Sequence, residues 1–129
     1  MTELFNNNVS TTLSASINTT QTSITITSAT GWPSLSAGQF YRAVITSASA
    51  PGTTYEYLQV TAIAGTTLTV ARGQENSTAQ NWNSGDIIYL TATAASFSSF
   101  ATAISTGVTS FNTRTGTVTL LSGDVTTAL

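Results

Sequence analysis

Residues 40–70 read FYRAVITSASAPGTTYEYLQVTAIAGTTLTV, and this stretch decides the fold class. Turn-forming residues at 50–52 and 64–65 divide it into three segments, because Pro and Gly favour tight reversals of the chain. Within each segment apolar and polar residues alternate, which is the period of a half-buried β-strand. The stretch therefore predicts a β-meander of three strands, at residues 40–46, 55–62 and 67–70.

The rest of the first ninety or so residues continues the same pattern. Alternation returns at residues 9–17 and 23–27, and a short apolar run occupies residues 87–90. Six or so short strands separated by turns are typical of a small antiparallel β-sandwich or barrel. We therefore expect a mainly β domain over residues 9–92.

An arm of residues 1–8 precedes this domain. It lacks the basic and apolar regions of a signal peptide, so we expect the chain to be made in a cytoplasm and either kept there or assembled there into something larger. Leu4 and Phe5 form an apolar pair ahead of a run of three Asn residues. The arm is either a frayed terminus or a hook that packs on a neighbouring subunit through this pair.

The pattern changes to helical spacing after Thr93. Four apolar side chains at i, i+3, i+4 and i+7 predict a short amphipathic helix at residues 93–106. Ser, Thr and Ala fill the other positions without charged pairs, so the helix needs a surface to pack on. That surface is either the β-domain or two further copies of the helix on a threefold axis. The apolar stripe consists of Phe97, Phe100, Ala101 and Ile104.

Residues 107–129 return to strand-like alternation after Gly107 breaks the helical pattern. Thr115 and Gly116 are placed to form a hairpin turn. We therefore expect a β-hairpin-like C-terminal extension.

Charged residues are scarce: three Lys or Arg and five Asp or Glu make up 6% of the 129 residues, with a net charge of −2. The chain contains no Cys, His or Lys, and so lacks a thiol nucleophile, a histidine base and thiolate or imidazole metal ligands. Three scattered arginines cannot form the basic patch that nucleic acids require. The apolar run of about 20 residues that a membrane span needs is absent. We expect no enzyme activity, cofactor, metal, nucleic-acid partner or membrane insertion.

The acidic residues are the remaining candidates for chemistry. Glu75 and Asp86 lie in or near loops after the meander, and a glycosidase needs two carboxylates facing one sugar bond. Glu75 is equally placed to cap a turn or to pair with Arg72. Asp86 and Asp124 are the candidates for a hard cation such as Ca²⁺, although no Asp-x-Asp-x-Asp run is present.

The aromatic residues Trp32, Trp82, Tyr55 and Tyr57 offer a second type of binding surface. Exposed aromatic rings stack on sugars, and in that case Trp32 and Trp82 would form a platform for a glycan. The other interpretation is core and hairpin packing, which is the more common use of aromatic residues in a small β-domain.

Two motifs follow one another along the chain. In residues 68–86 a Leu-Thr-Val strand leads to Arg-Gly-Gln-Glu, and Thr-Ala-Gln-Asn-Trp and Gly-Asp come next. This order resembles a β-domain of tailed-bacteriophage virion proteins, found near the N-termini of tail, baseplate or collar fibres. Residues 110–125 begin Ser-Phe-Asn-Thr-Arg-Thr-Gly-Thr-Val-Thr-Leu, which is similar to a segment of fibre shafts and linkers.

The resemblance implies a structural virion protein that is made in the cytoplasm of a bacterial host. Such proteins are usually trimers whose N-terminal domain docks on the virion and whose distal part binds the host. For this chain it implies a homotrimer in contact with other virion proteins of the tail, baseplate or neck. Residues 107–129 would begin a fibre shaft, and the chain would be a short fibre, a docking or decoration subunit, or a fragment.

Roles for individual residues follow from this hypothesis. Leu4 and Phe5 would anchor the arm on the virion, and the helical stripe would line the trimer interface. Gly73 is expected at a positive φ, with Arg72 and Glu75 binding each other across the turn. The alternative function is a carbohydrate-binding β-module for host-surface adhesion, which would use the two tryptophans.

Overall fold

The computed structural model describes residues 1–106, 110–111 and 114–115. The chain divides into two compact units, Met1–Thr93, here called the β-unit, and Ala94–Leu129, the C-terminal unit. The strands of the β-unit are β1 (Thr2–Glu3), β2 (Ser10–Thr12), β3 (Ser23–Thr25), β4 (Gln39–Thr46), β5 (Tyr55–Ala64), β6 (Thr67–Gln74) and β7 (Ile87–Leu90). The C-terminal unit contains α1 (Ala94–Thr106), β8 (Ser110–Phe111) and β9 (Arg114–Thr115).

The β-unit is a curled antiparallel sheet, which confirms the mainly β fold. Its strand order is β2-β7-β4-β5-β6-β3, so the predicted meander forms its centre as β4, β5 and β6. Ala64 pairs with Thr67 across a two-residue turn, in which Gly65 has a φ of +60°. Two register shifts between β5 and β6 add to the right-handed twist, because bulges bend the strand that carries them.

The two end strands of the sheet, β2 and β3, meet where the sheet curls round. Leu13 and Ile26 form an antiparallel bridge just beyond them. On either side, the Ser14 amide donates to the Thr25 carbonyl at 3.0 Å and the Thr27 amide to the Thr12 carbonyl at 2.9 Å. The sheet is a half-barrel, and main-chain hydrogen bonds next to its two end strands link one side of the curl to the other.

The core lies inside the curl and is built from alternate positions of each strand. On β4 these positions are Tyr41, Ala43 and Ile45, all with no exposed surface. Leu58 and Val60 on β5 face the same way, as the period-two pattern predicts. Core residues from the other elements include Val9, Leu13, Ile17, Ile24, Ile26, Leu68, Val70, Ile88 and Leu90.

The N-terminal arm begins as a strand of this sheet. β1 pairs parallel with β4: the Thr2 amide donates to the Gly38 carbonyl and the Leu4 amide to the Phe40 carbonyl, both at 2.8 Å. Leu4 is half-buried, whereas Phe5 is 54% exposed. The start of the arm is thus hydrogen-bonded to β4 of its own chain. The exposed Phe5 follows this paired segment.

In the C-terminal unit, α1 forms within one residue of the predicted helix. The expected hairpin turn at Thr115-Gly116 is corrected at its first residue, since Thr115 is a strand residue opposite Ser110. Gly116 and the rest of the predicted extension lie outside the described residues. In the part of the chain that the structure describes, α1 does not have the length and hydropathy to cross a membrane.

Candidate functional site

A buried ion pair between Glu56 and Arg72 joins β5 to β6. Arg72 Nε donates to Glu56 Oε1 at 2.7 Å, and Nη2 donates to Oε2 at 2.8 Å. The remaining guanidinium hydrogens reach the carbonyls of Asn18 at 2.7 Å, Gln21 at 2.9 Å and Gln80 at 2.7 Å. All five donors of Arg72 are therefore used.

Glu56 is saturated in the same way and has no exposed surface. Besides Arg72, its carboxylate accepts from the Gly73 amide at 2.9 Å, the Gln80 amide at 3.1 Å and Trp82 Nε1 at 2.8 Å. Burial raises the pKa of Glu56, but the hydrogen bonds from Arg72, Trp82, Gly73 and Gln80 outweigh it and lower the pKa below its ordinary value. The carboxylate is a fixed anion that links three segments: β5, the end of β6 and the loop at residues 80–82.

Gly73 allows the chain to turn immediately after Arg72. Its φ of +58° confirms the expected positive value, and Glu75 and Asn76 follow at +54° and +62°. A Cβ atom at position 73 would lie 3.1 Å from the Ala79 amide nitrogen and 3.3 Å from the Ser77 carbonyl oxygen. The backbone of the turn therefore packs directly against Gly73 and brings the Gln80 amide to Glu56.

The ion pair expected between Arg72 and Glu75 is wrong. Arg72 shares the inward-facing parity of the β6 core residues, whereas Glu75 has the opposite parity and follows a left-handed turn. Glu75 Oε1 instead accepts from Arg42 Nη1 at 3.0 Å and from the Thr93 hydroxyl at 2.7 Å. Arg42 Nε also lies 3.2 Å from Glu3 Oε1, so this second cluster links β1, β4 and the turn.

Asp86 is a structural residue of a different loop. It is buried, and it accepts from the Ala48 amide at 3.0 Å and the Asn83 amide at 2.8 Å. Its two oxygens thus hold the β4–β5 loop against the loop before β7. Among the described residues, no three acidic side chains lie close enough to hold a metal ion, and Asp124 lies outside them. Glu75 and Asp86 are each committed to separate structural contacts.

The proposed tryptophan platform is also wrong, because both indoles are buried in the core. Trp82 donates to Glu56, and its main chain forms a bridge with Ile17. Trp32 packs against Tyr41 with ring centroids 5.6 Å apart. These residues follow the core-packing interpretation and offer no face to a sugar.

Tyr55 and Tyr57 are on the outer part of the unit, where their rings make an edge-to-face contact at 5.6 Å. Tyr55 is about half exposed and Tyr57 is half-buried. They form a compact aromatic pair that is separate from the two tryptophans.

The large apolar side chains of the predicted helical stripe are exposed on α1. Phe97, Phe100 and Ile104 are 67%, 65% and 64% exposed, and Ala101 beside them is exposed as well. No Asp, Glu, Lys or Arg occurs anywhere along α1. The structure thus places the four predicted interface residues together on one uncharged surface.

Glu56 is the central residue that inspection of motifs overlooked. Its signal is positional: counting back by two from Val60 and Leu58 puts a carboxylate on the buried face of β5. A buried acid demands a partner, and an arginine on the next strand is the natural one.

No protein-family model matches this chain, and no curated protein matches it either.

Proposed function

We propose that this chain is a structural protein of a bacteriophage virion, a tail or collar fibre or its virion-docking domain, assembling as a homotrimer through α1. The observation that carries the proposal is the exposure of Phe97, Phe100 and Ile104 on one helix. The resemblance of the two sequence motifs to fibre proteins supplies the virion setting. The host-binding role of longer fibres is not part of this proposal.

The physical chemistry of α1 favours association. A 13-residue helix made largely of Ser, Thr and Ala is marginal in water, because nucleation is costly and propensity is low. Burying one exposed Phe or Ile side chain contributes about 1.5–3 kcal/mol. Because α1 has no charged side chain, copies placed side by side meet no repulsion between like-charged side chains.

The contacts within the β-unit favour a structural role, in which the unit supplies a stable shape and surfaces for contact with other proteins. Its buried acids, Glu56 and Asp86, are engaged by main-chain amides and by an arginine, as expected of structural groups. The exposed Phe5, just beyond β1, is the apolar residue best placed to contact another virion protein. Leu4, the half-buried residue before Phe5, would add a smaller apolar area to this contact.

The test is the native mass of the full chain by light scattering. We expect a value close to three times the chain mass of 13.3 kDa. Phe100→Asp should shift the mass to that of one chain, because a charge would be buried in the interface. Ser99→Asp is the matched control: it adds the same charge about 100° away from Phe100, off the stripe, and should leave the trimer intact.

Two results would contradict the proposal. A wild-type monomer over the accessible concentration range would remove the trimer. A trimer that survives Phe100→Asp would show that α1 is not its interface.

A further inference from the structure

Two polar atoms inside the β-unit have no hydrogen-bond partner among the described residues: Trp32 Nε1 and the Tyr41 hydroxyl. Tyr41 has no exposed surface and Trp32 is 7% exposed. The two rings contact each other at 5.6 Å, inclined by 50°. A third such atom, Arg42 Nε, differs from them because it is ion-paired with Glu3.

Buried polar groups in proteins are nearly always paired, with protein atoms or with ordered water. The indole N–H can only donate, whereas a phenol hydroxyl both donates and accepts. Burial raises the pKa of Tyr41, so its hydroxyl keeps its proton. A small neutral molecule with both donor and acceptor capacity therefore satisfies both atoms.

We propose that the β-unit binds one structural water molecule between Trp32 and Tyr41. The water accepts the Trp32 indole hydrogen and forms a hydrogen bond with the Tyr41 hydroxyl. Internal waters occur roughly once per 27 residues in globular proteins and sit where buried polar atoms converge. The two rings that carry these atoms are neighbours in the core, with centroids 5.6 Å apart.

The water would complete the attachment of a loop to the sheet. Trp32 lies in the loop before β4, and Tyr41 lies on β4 itself. The loop is also attached to other parts of the unit by the bond from Asn6 Nδ2 to the Gly31 carbonyl at 2.7 Å and by the bond from the Ser28 amide to Thr11 Oγ1 at 3.1 Å. The proposed water adds a connection from the loop to the middle of the half-barrel.

A crystal structure of the full chain, at a resolution that shows ordered solvent, is the first test. We expect a water within hydrogen-bond distance of both Trp32 Nε1 and the Tyr41 hydroxyl. A direct bond between the two atoms, bonds from them to other protein groups, or a site without solvent density would each overturn the proposal.

Tyr41→Phe tests the same inference in solution, since it removes only the hydroxyl. The unfolding equilibrium constant should rise about fivefold, the loss typical of one hydrogen bond. Tyr55→Phe removes a phenol hydroxyl from an exposed ring and should leave the constant unchanged. An unchanged or smaller constant in Tyr41→Phe would mean that the hydroxyl has no partner, and would also overturn the proposal.

Discussion

At the scale of single residues, the anion of Glu56 occupies a position where water cannot reach it. Five hydrogen bonds from four residues replace its hydration, and two of those bonds come from Arg72. A buried ion pair adds little net stability relative to an apolar pair, but removing one partner is costly. The pair therefore fixes the positions of β5, β6 and the loop to Trp82 more than it adds to overall stability.

Glu56→Gln should lower the free energy of unfolding by about 3–5 kcal/mol, because Arg72 would remain buried without its counter-ion. In the variant, the side-chain amide at position 56 would also bring an N–H group close to N–H donors. In the wild-type chain those donors bind a carboxylate oxygen of Glu56. Urea denaturation at neutral pH measures the change. Gln59→Ala, on the same strand but with its side chain on the opposite face, is the control and should change the value by about 0.5 kcal/mol or less. Equal losses in both variants would contradict this account.

The lowered pKa of Glu56 makes stability depend on pH in a definite direction. The stabilisation is fully present above the ordinary pKa of 4.5 and is lost as the pH falls through the lower folded-state value. Urea denaturation from neutral pH into the acid range should show the free energy of unfolding falling as the pH is lowered. Glu56→Gln should have a shallower acid slope than the wild-type chain. Parallel slopes would mean that Glu56 is not the group responsible.

At the scale of elements, the turn after β6 has a fixed backbone because its neighbours leave no room. Gly73 has both a positive φ and a close backbone approach, whereas Gly65 has a similar φ of +60° in open space. The two glycines therefore separate the cost of the dihedral angle from the cost of crowding.

Gly65→Ala should cost about 1–2 kcal/mol, the penalty of a left-handed conformation for an L-residue. Gly73→Ala should cost a further 1–3 kcal/mol or so, because its Cβ would overpack against the Ala79 and Ser77 backbone. Urea midpoints of the two variants measure the difference. Equal midpoints would show that the turn relaxes around the new methyl group.

Period-two counting predicts the central strands well because alternate apolar residues of each form its core face, although on β4 Phe40 and Val44 of the other face are buried as well. It does not pair Glu56 with Arg72, since that requires the register of β5 against β6. This register shifts twice, between Tyr57 and Gln59 and between Val60 and Ala62, and alternation alone does not reveal a bulge. The expected pairing of Arg72 with Glu75 is wrong for a related reason, because closeness in sequence does not make two side chains point the same way.

At the scale of the whole molecule, the hydrophobic core lies within residues 9–90. The tryptophans belong to this core, so the aromatic residues that suggested a binding platform serve the packing of a small β-unit. Sequence reasoning locates the helical stripe correctly, because helical periodicity is local and needs no register with another element.

A chain that ends after Thr93 should fold by itself, since the core and the Glu56 and Arg42 clusters are retained. We expect one cooperative unfolding transition and the mass of a single chain, in contrast to the trimer expected of the full chain. Circular dichroism and light scattering on both chains measure these properties. An unfolded truncated chain would show that the β-unit depends on the C-terminal unit for its stability, and a trimeric one would place the interface within the β-unit.

The internal pairing of charge has a consequence for how this unit meets other molecules. The charged side chains described in the β-unit all have partners within it, namely Glu3, Arg42, Glu56, Arg72, Glu75 and Asp86. These four acids and two arginines leave a net side-chain charge of −2, so the outer surface projects only a weak electrostatic field for dissolved ions to screen. Encounters with other proteins would proceed by unsteered diffusion, and their rates would hardly change between dilute buffer and concentrated salt.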